Sequence, residues 1–200
     1  METNVLALDL GTKTGYAIYK CGCIVIGTKR LQHNKGASGM RFLCFRNWLI
    51  GMIEAHNISC VFFERVYGHK GIEAAHVYGA FMYILAALCE EKRIKCVGIP
   101  VGTIKKNATG KGNATKEDMM AFAKRHNFDS IDDNAADALA ILFCGLNSLK
   151  IKEFPLLRFK ESFRYFPDDK NNGPRSRGAF LALEKKQSFT DKNDDDLSYV

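Results

Sequence analysis

Between residues 4 and 28 the chain offers three apolar runs, and the segments between them are too short to carry a crossover helix. "NVLALDL" (4–10) is followed by the turn residues of "GTKTG", "YAIY" resumes a strand, and "KCGC" turns into "IVIGT". Strands joined this tightly pair antiparallel. After residue 40 the period changes. "GMRFLCFRNWLIGMIEAHN" has apolar residues at 42, 43, 45, 48, 49, 52 and 53, which is helical spacing, and "ISCVFFE" (58–64) reads as a buried strand. "GIEAAHVYGAFMYILAALCEEKRI" is a long apolar helix and "KCVGIP" a short strand stopped by Pro100. A glycine- and lysine-rich loop is expected next. "ATKEDMMAFAKRHN" then predicts a helix in which Thr115 caps the amide of Asp118, and "DDNAADALAILFCGLNSL" predicts the last helix. The order implies an α/β domain with a mixed five-stranded sheet flanked by helices.

That domain is expected to occupy residues 1–150 of 200, a length sufficient for a sizeable core. From residue 151 the pattern decays. "KEFPLLRFKESFRYFPDDKNNGPRSRGAF" mixes aromatics and basic residues without a period, and "DKNDDDLSYV" is acidic. Residues 151–200 read as a basic then acidic extension, partly disordered, with "AFLALEKKQ" able to form a short helix. The longest strongly apolar run, 81–89, is too short for a bilayer span, and "METNVLALDLG" is no secretory signal. Seven cysteines, an odd number, are scattered without paired CxxC units. They suit small buried thiols in a reducing compartment, so an intracellular, cytoplasmic protein without a membrane partner is expected. Cys21-Gly-Cys23 reads as a hairpin turn rather than half a metal site.

Four acids carry the chemistry. Asp9 closes the first strand and Glu64 the fourth, and strand ends in an open α/β sheet face the crevice where ligands bind. Asp133 and Asp137 stand four apart, on one helical face. Each acid alone has an ordinary role open to it: Asp9 as a turn residue before Gly11, Glu64 as a partner of Arg65, Asp132 or Asp133 as a helix cap. Asp137 sits a full turn inside an apolar run, among Ala135, Ala136, Ala138 and Ala140, and capping does not account for it. Converging carboxylates must be protonated or neutralised by cations. An all-oxygen ligand set favours Mg²⁺, with Mn²⁺ able to substitute. Two such ions ~4 Å apart can activate a water and stabilise the leaving oxygen of a phosphodiester.

The net charge of +7 is unevenly placed. Lys105, Lys106, Lys111 and Lys116 crowd the glycine-containing stretch, where each can replace a counterion on a phosphate backbone. A solvated basic face is the plainer reading of the same residues.

The chain resembles the RuvC-type Holliday junction resolvases of the RNase H-like superfamily. The matching pieces are "LALDLGTKTGYAIY", "VFFERVY", "IPVGTIKKNATGKGNATKEDMM" and "NAADALAIL", in the family's order and at its approximate spacing, over residues 4–146. The resemblance implies metal ligation by Asp9, Glu64 and Asp137, with a fourth ligand on the last helix. The family commonly has an acid or histidine three residues before the final aspartate; here that place holds Asn134. Asp133 is therefore assigned the fourth role, and Asn134 is a neutral alternative. Lys105 and Lys116 match basic residues near the scissile strand, and Tyr67 occupies the place of an aromatic that stacks on junction bases. A tyrosine packed on the following helix is the competing reading of Tyr67.

These readings imply a homodimeric, Mg²⁺-dependent endodeoxyribonuclease that makes paired cuts in four-way DNA junctions, leaving 5′-phosphate and 3′-hydroxyl ends. The apolar helix over 72–91, with Gly79 among small residues, suits either the dimer interface or a buried crossover. Two other classes stay open. A catalytically silent junction-binding relative would explain Asn134, and an actin-like ATP-binding fragment would explain "DLGTKTG". Arg158, Lys160, Arg164, Arg175 and Arg177 could extend the DNA surface.

Overall fold

In a computed structural model of the protein, residues 3–31, 39–68, 71–129, 131–151 and 179–181 are described, the last three for their backbone only. Strands β1 (Val5–Asp9), β2 (Lys13–Lys20) and β3 (Cys23–Arg30) form the antiparallel meander. β2 begins at Lys13, earlier than "YAIY" suggested, because Thr14 is buried and its hydroxyl donates to the Gly11 carbonyl at 2.7 Å. The β2–β3 turn at Cys21 and Gly22 has both residues at positive φ, the primed geometry a two-residue hairpin favours.

The chain then alternates α1 (Met40–His56), β4 (Cys60–Arg65), α2 (Ile72–Glu91) and β5 (Lys95–Pro100). β4 pairs parallel to β1, and β5 parallel to β4. The five strands form the expected mixed sheet. A short sixth strand, β6 (Ala179–Leu181), adds antiparallel to β3, giving the order β5-β4-β1-β2-β3-β6. The short helix expected from residue 179 is corrected at its start: the edge of β3 offers Ile24–Ile26 as hydrogen-bonding partners, and ladder pairing wins over local propensity. The rest of the extension, including Arg158, Lys160, Arg164, Arg175 and Arg177, lies outside the described residues.

A second correction concerns residues 101–114. Val101–Thr109 is a helix, α3, rather than loop. Pro100 sits extended at its N-cap, Ile104 and Ala108 bury one face at i,i+4 spacing, and Gly110 at φ +81° closes it in the left-handed region. Those three signals were present in the sequence but were outweighed by its Gly/Lys content. α4 (Lys116–Arg125) begins with a full capping box: the Asp118 amide donates to Thr115 Oγ1 at 3.3 Å, and the Thr115 amide to Asp118 Oδ2 at 3.0 Å. α5 (Asp133–Ser148) is capped by Asp132, whose Oδ1 accepts from the Ala135 amide at 2.9 Å.

Two cores flank the sheet. One face packs α1 and α2 around Leu6, Leu8, Ile18, Phe45, Leu49, Phe81 and Leu85. The other packs α3, α4 and α5 around Ala7, Ala17, Ile26, Phe62, Phe122 and Leu139. α5 is buried almost along its length, from Ala135 to Leu146, because it lies directly across the central strands. α2 is long and apolar enough, by length and composition, to cross a membrane. One face of it nevertheless lies on the sheet through Tyr78, Phe81, Leu85 and Leu88, while Ile72 and Tyr83 are exposed on the other. All seven cysteines are free thiols, with Cys60, Cys89 and Cys144 buried.

Candidate active site

Parallel pairing of β1 with β4 sets the first pair of acids. Leu8 is in register with Phe63, so the next residues, Asp9 and Glu64, stand side by side at the end of the β1–β4 ladder. Neighbouring strands are ~4.8 Å apart, and two carboxyl groups at that spacing interact directly. Asp9 and Glu64 come within hydrogen-bonding reach of each other, so the Glu64 charge opposes ionisation of Asp9.

The third acid arrives through a close approach. Asp9 is in register with Gly15 on β2, and α5 crosses there. A Cβ at Gly15 would lie 1.9 Å from the Asn134 carbonyl oxygen, an overlap no side chain could accommodate. Glycine therefore lets the head of α5 rest on β2, and one turn later Asp137 reaches the field of Glu64 and Asp9. Burial, followed by the charges of Glu64 and Asp137, raises the Asp9 carboxyl to about 8. Asp137 is raised to about 6, first by burial and then by Glu64 and Asp133, against the opposing pull of Lys105 and Lys116.

Asp133 behaves differently. Its carboxylate is held below its ordinary range by a 2.7 Å ion pair with Lys116 Nζ, and its side chain is exposed. Asn134 contributes its carbonyl to the Gly15 contact. As they stand, no three His, Cys, Asp or Glu side chains among the described residues are drawn together as a ready metal cage. Asp9 faces Glu64, and Asp133 turns to Lys116. The donor set still fits a hard divalent cation: it is all oxygen, and Asp9 and Asp137 are pushed toward protonation first by burial and then by neighbouring acids, which a bound cation would oppose.

A pH dependence follows for the metal-free protein. Asp9 and Asp137 bind protons more tightly when folded than an ordinary aspartate of the unfolded chain, which titrates near 3.8. Stability from these groups is therefore expected to fall as pH rises from about 4 to about 8. Mg²⁺ should raise Tm more at pH 8 than at pH 6, as thermal melts with and without the ion would measure. A shift independent of pH would count against these acids as ligands.

The basic and aromatic residues divide by position. Lys105 is half-buried on α3 and donates to the Ala114 carbonyl at 2.7 Å, pinning the loop ahead of α4. Lys106, Lys111 and Lys116 are exposed. Tyr67, beyond the end of β4, is 77% exposed rather than packed on α2, with the Arg65 guanidinium 5.5 Å from its ring centre. Tyr78 was not singled out from sequence. Its hydroxyl donates to the Glu64 carbonyl at 2.8 Å and accepts from the Val66 amide at 3.1 Å, bracing the strand end that presents Glu64. Nothing in the local pattern distinguishes it from other aromatic core residues of α2.

The model of the family described as crossover junction endodeoxyribonuclease RuvC matches residues 5–145. The chain belongs to the RuvC family. Membership places it among junction-cleaving nucleases. Two solved structures of Thermus thermophilus RuvC, one with a Holliday junction substrate, align at TM-scores of 0.63 and 0.60 with 16% and 15% identity, each covering 74% of this chain and 96% of the other. The yeast mitochondrial Holliday junction resolvase Ydc2 aligns at 0.52 with 17% identity, covering 75% of this chain and 81% of that one. At these identities the superpositions show a common fold alone, a mixed sheet flanked by helices. No curated protein sequence matches.

Proposed function

We propose that this RuvC-family protein is a Mg²⁺-dependent endodeoxyribonuclease that resolves four-way DNA junctions by paired cuts. The observation that supports it most is the placement of Asp9 and Asp137, from separate elements, where Glu64 opposes the ionisation of both. Asp9, Glu64 and Asp137 would hold the ions, with Asp133, or else the Asn134 side chain, as fourth donor. Two Mg²⁺ ions held there would supply a lowered water pKa and stabilisation of the departing 3′ oxygen, and the expected products carry 5′-phosphate and 3′-hydroxyl ends. Lys116 holds Asp133 until a phosphate competes for its ammonium. Lys105, whose charge acts on Asp137, and the exposed Lys106 and Lys111 would hold the backbone without reading sequence. Exposed Tyr67 would stack on an unpaired base at the branch, a contact worth ~1–3 kcal/mol, so Tyr67→Ala should weaken junction binding by about 5- to 100-fold in a gel-shift titration.

A twofold homodimer would match the twofold junction and give two sites for paired cuts. The outer face of α2 suits it: Ile72 and Tyr83 are exposed, and the space beside Gly79 is open. Sedimentation that finds only monomer with and without DNA would remove this part. The decisive assay compares four-way junction, flap and linear duplex, with and without Mg²⁺ or Mn²⁺. Cation-dependent cutting of the junction alone is expected. Junction binding without cutting under either ion would favour the silent relative, to which Asn134 points.

A further inference from the structure

Two cations face each other at the open end of the β2–β3 hairpin. Lys13 is directly in register with Arg30, and the next rung, from the Leu31 amide to the Thr12 carbonyl at 2.8 Å, closes the hairpin beyond them. Strand alternation fixes their face. Lys13 shares its side of β2 with Gly15 and Ala17, and Arg30 its side of β3 with Ile26 and Thr28. Ala17 and Ile26 belong to the core under α5, Gly15 lies beneath Asn134, and Thr28 Oγ1 donates to Asp132 at 2.6 Å. Lys13 and Arg30 thus stand on the side of the sheet that carries α5. Since Asp9 pairs with Gly15, Lys13 lies about 7 Å further out along the strand direction.

Directly opposed like charges weaken a strand pair. The acids at the head of α5 do not relieve them: Asp132 is taken by Thr28 and the Ala135 amide, and Asp133 by Lys116. Among the described residues neither Lys13 nor Arg30 has an ion pair with an acid. Both are exposed. Lys13 lies near enough to the head of α5 for its charge to act on Asp133. A cation pair with no acidic partner among the described residues, beside a cluster of acids, is suited to an anion that itself enters the cluster, and a phosphodiester strand does both.

We infer that Lys13 and Arg30 form a clamp on a backbone phosphate of the DNA strand running into the acidic site, next to the phosphate that is cut. The inference rests on the proposed DNA-cleaving function for its substrate, but its test does not depend on junction selectivity. Neutralising each contact should reduce the slope of log K against log salt by about one. The double variant Lys13→Gln/Arg30→Gln is therefore expected to lower that slope by about two on junction and linear duplex alike. The control Lys20→Gln/Lys95→Gln removes the same charge from the far ends of β2 and β5 and should leave the slope unchanged.

Equal slope changes in both double variants would mean diffuse attraction only and overturn the clamp, as would no change in the first. If the wild type shows no junction preference yet the slope result holds, the junction reading fails and the phosphate clamp stands. A wild type that binds no DNA removes both.

Discussion

Asp9→Asn and Asp137→Asn are each expected to reduce junction cleavage by at least about 10³-fold, some 4 kcal/mol of barrier, while junction affinity stays within a few-fold. The expectation comes from the fit of the acids to a hard cation, since an amide keeps the size of the side chain and removes the charge. Loss of folding would not be the cause. Asp9 is buried among Glu64, Asp137 and Asp133, all of which oppose its ionisation, so removing its carboxyl relieves repulsion in the metal-free protein. Its Tm should hold or rise at pH 8. Single-turnover cleavage, a binding titration and a thermal melt on each variant test these points together. Either variant cutting at the wild-type rate would sink the assignment.

Gly15→Ala is the second large effect. The added methyl would meet the Asn134 carbonyl oxygen at 1.9 Å and the Asn134 carbonyl carbon at 2.5 Å, both backbone atoms. Relief requires α5 to lift from β2, and α5 is the most buried helix in the domain. Overpacking of a well-filled core costs roughly 1–3 kcal/mol, and a backbone clash falls at or above the upper end. For a domain of this size that lowers Tm by about 6–12 °C. Asp137 moves with the helix, so cleavage should fall even in molecules that remain folded, which melting and activity measured below Tm would separate. A Cβ at Gly145 would likewise overlap the buried ring of Phe62, at 2.4 Å, so Gly145→Ala should also destabilise the domain, through a side chain rather than the Asn134 backbone. An unchanged Tm for Gly15→Ala would refute the close approach on which the site's geometry depends.

Much of this was legible in the chain because it is written in local terms. Alternation and tight turns announce β1 to β3, 3.6-residue spacing announces α1, α2, α4 and α5, and Thr115 and Asp132 each cap the helix they precede. Asp137 was conspicuous because an ionisable group inside an apolar helix needs a reason. α3 was missed because glycine and lysine content was weighed above the Ile104–Ala108 spacing and the Gly110 stop. β6 was missed because a three-residue strand exists only where a partner edge waits for it.

Composition and order in the chain determined the α/β class, the strand ends that carry Asp9 and Glu64, and the helix that carries Asp137. Only the tertiary structure decided which acids share a field, that Lys116 draws Asp133 aside, that Tyr78 braces Glu64, and that Lys13 faces Arg30. The reason is physical: propensity and periodicity act over a few residues, whereas the meeting of carboxylates, ion pairing and cross-strand register depend on distances between segments far apart in sequence.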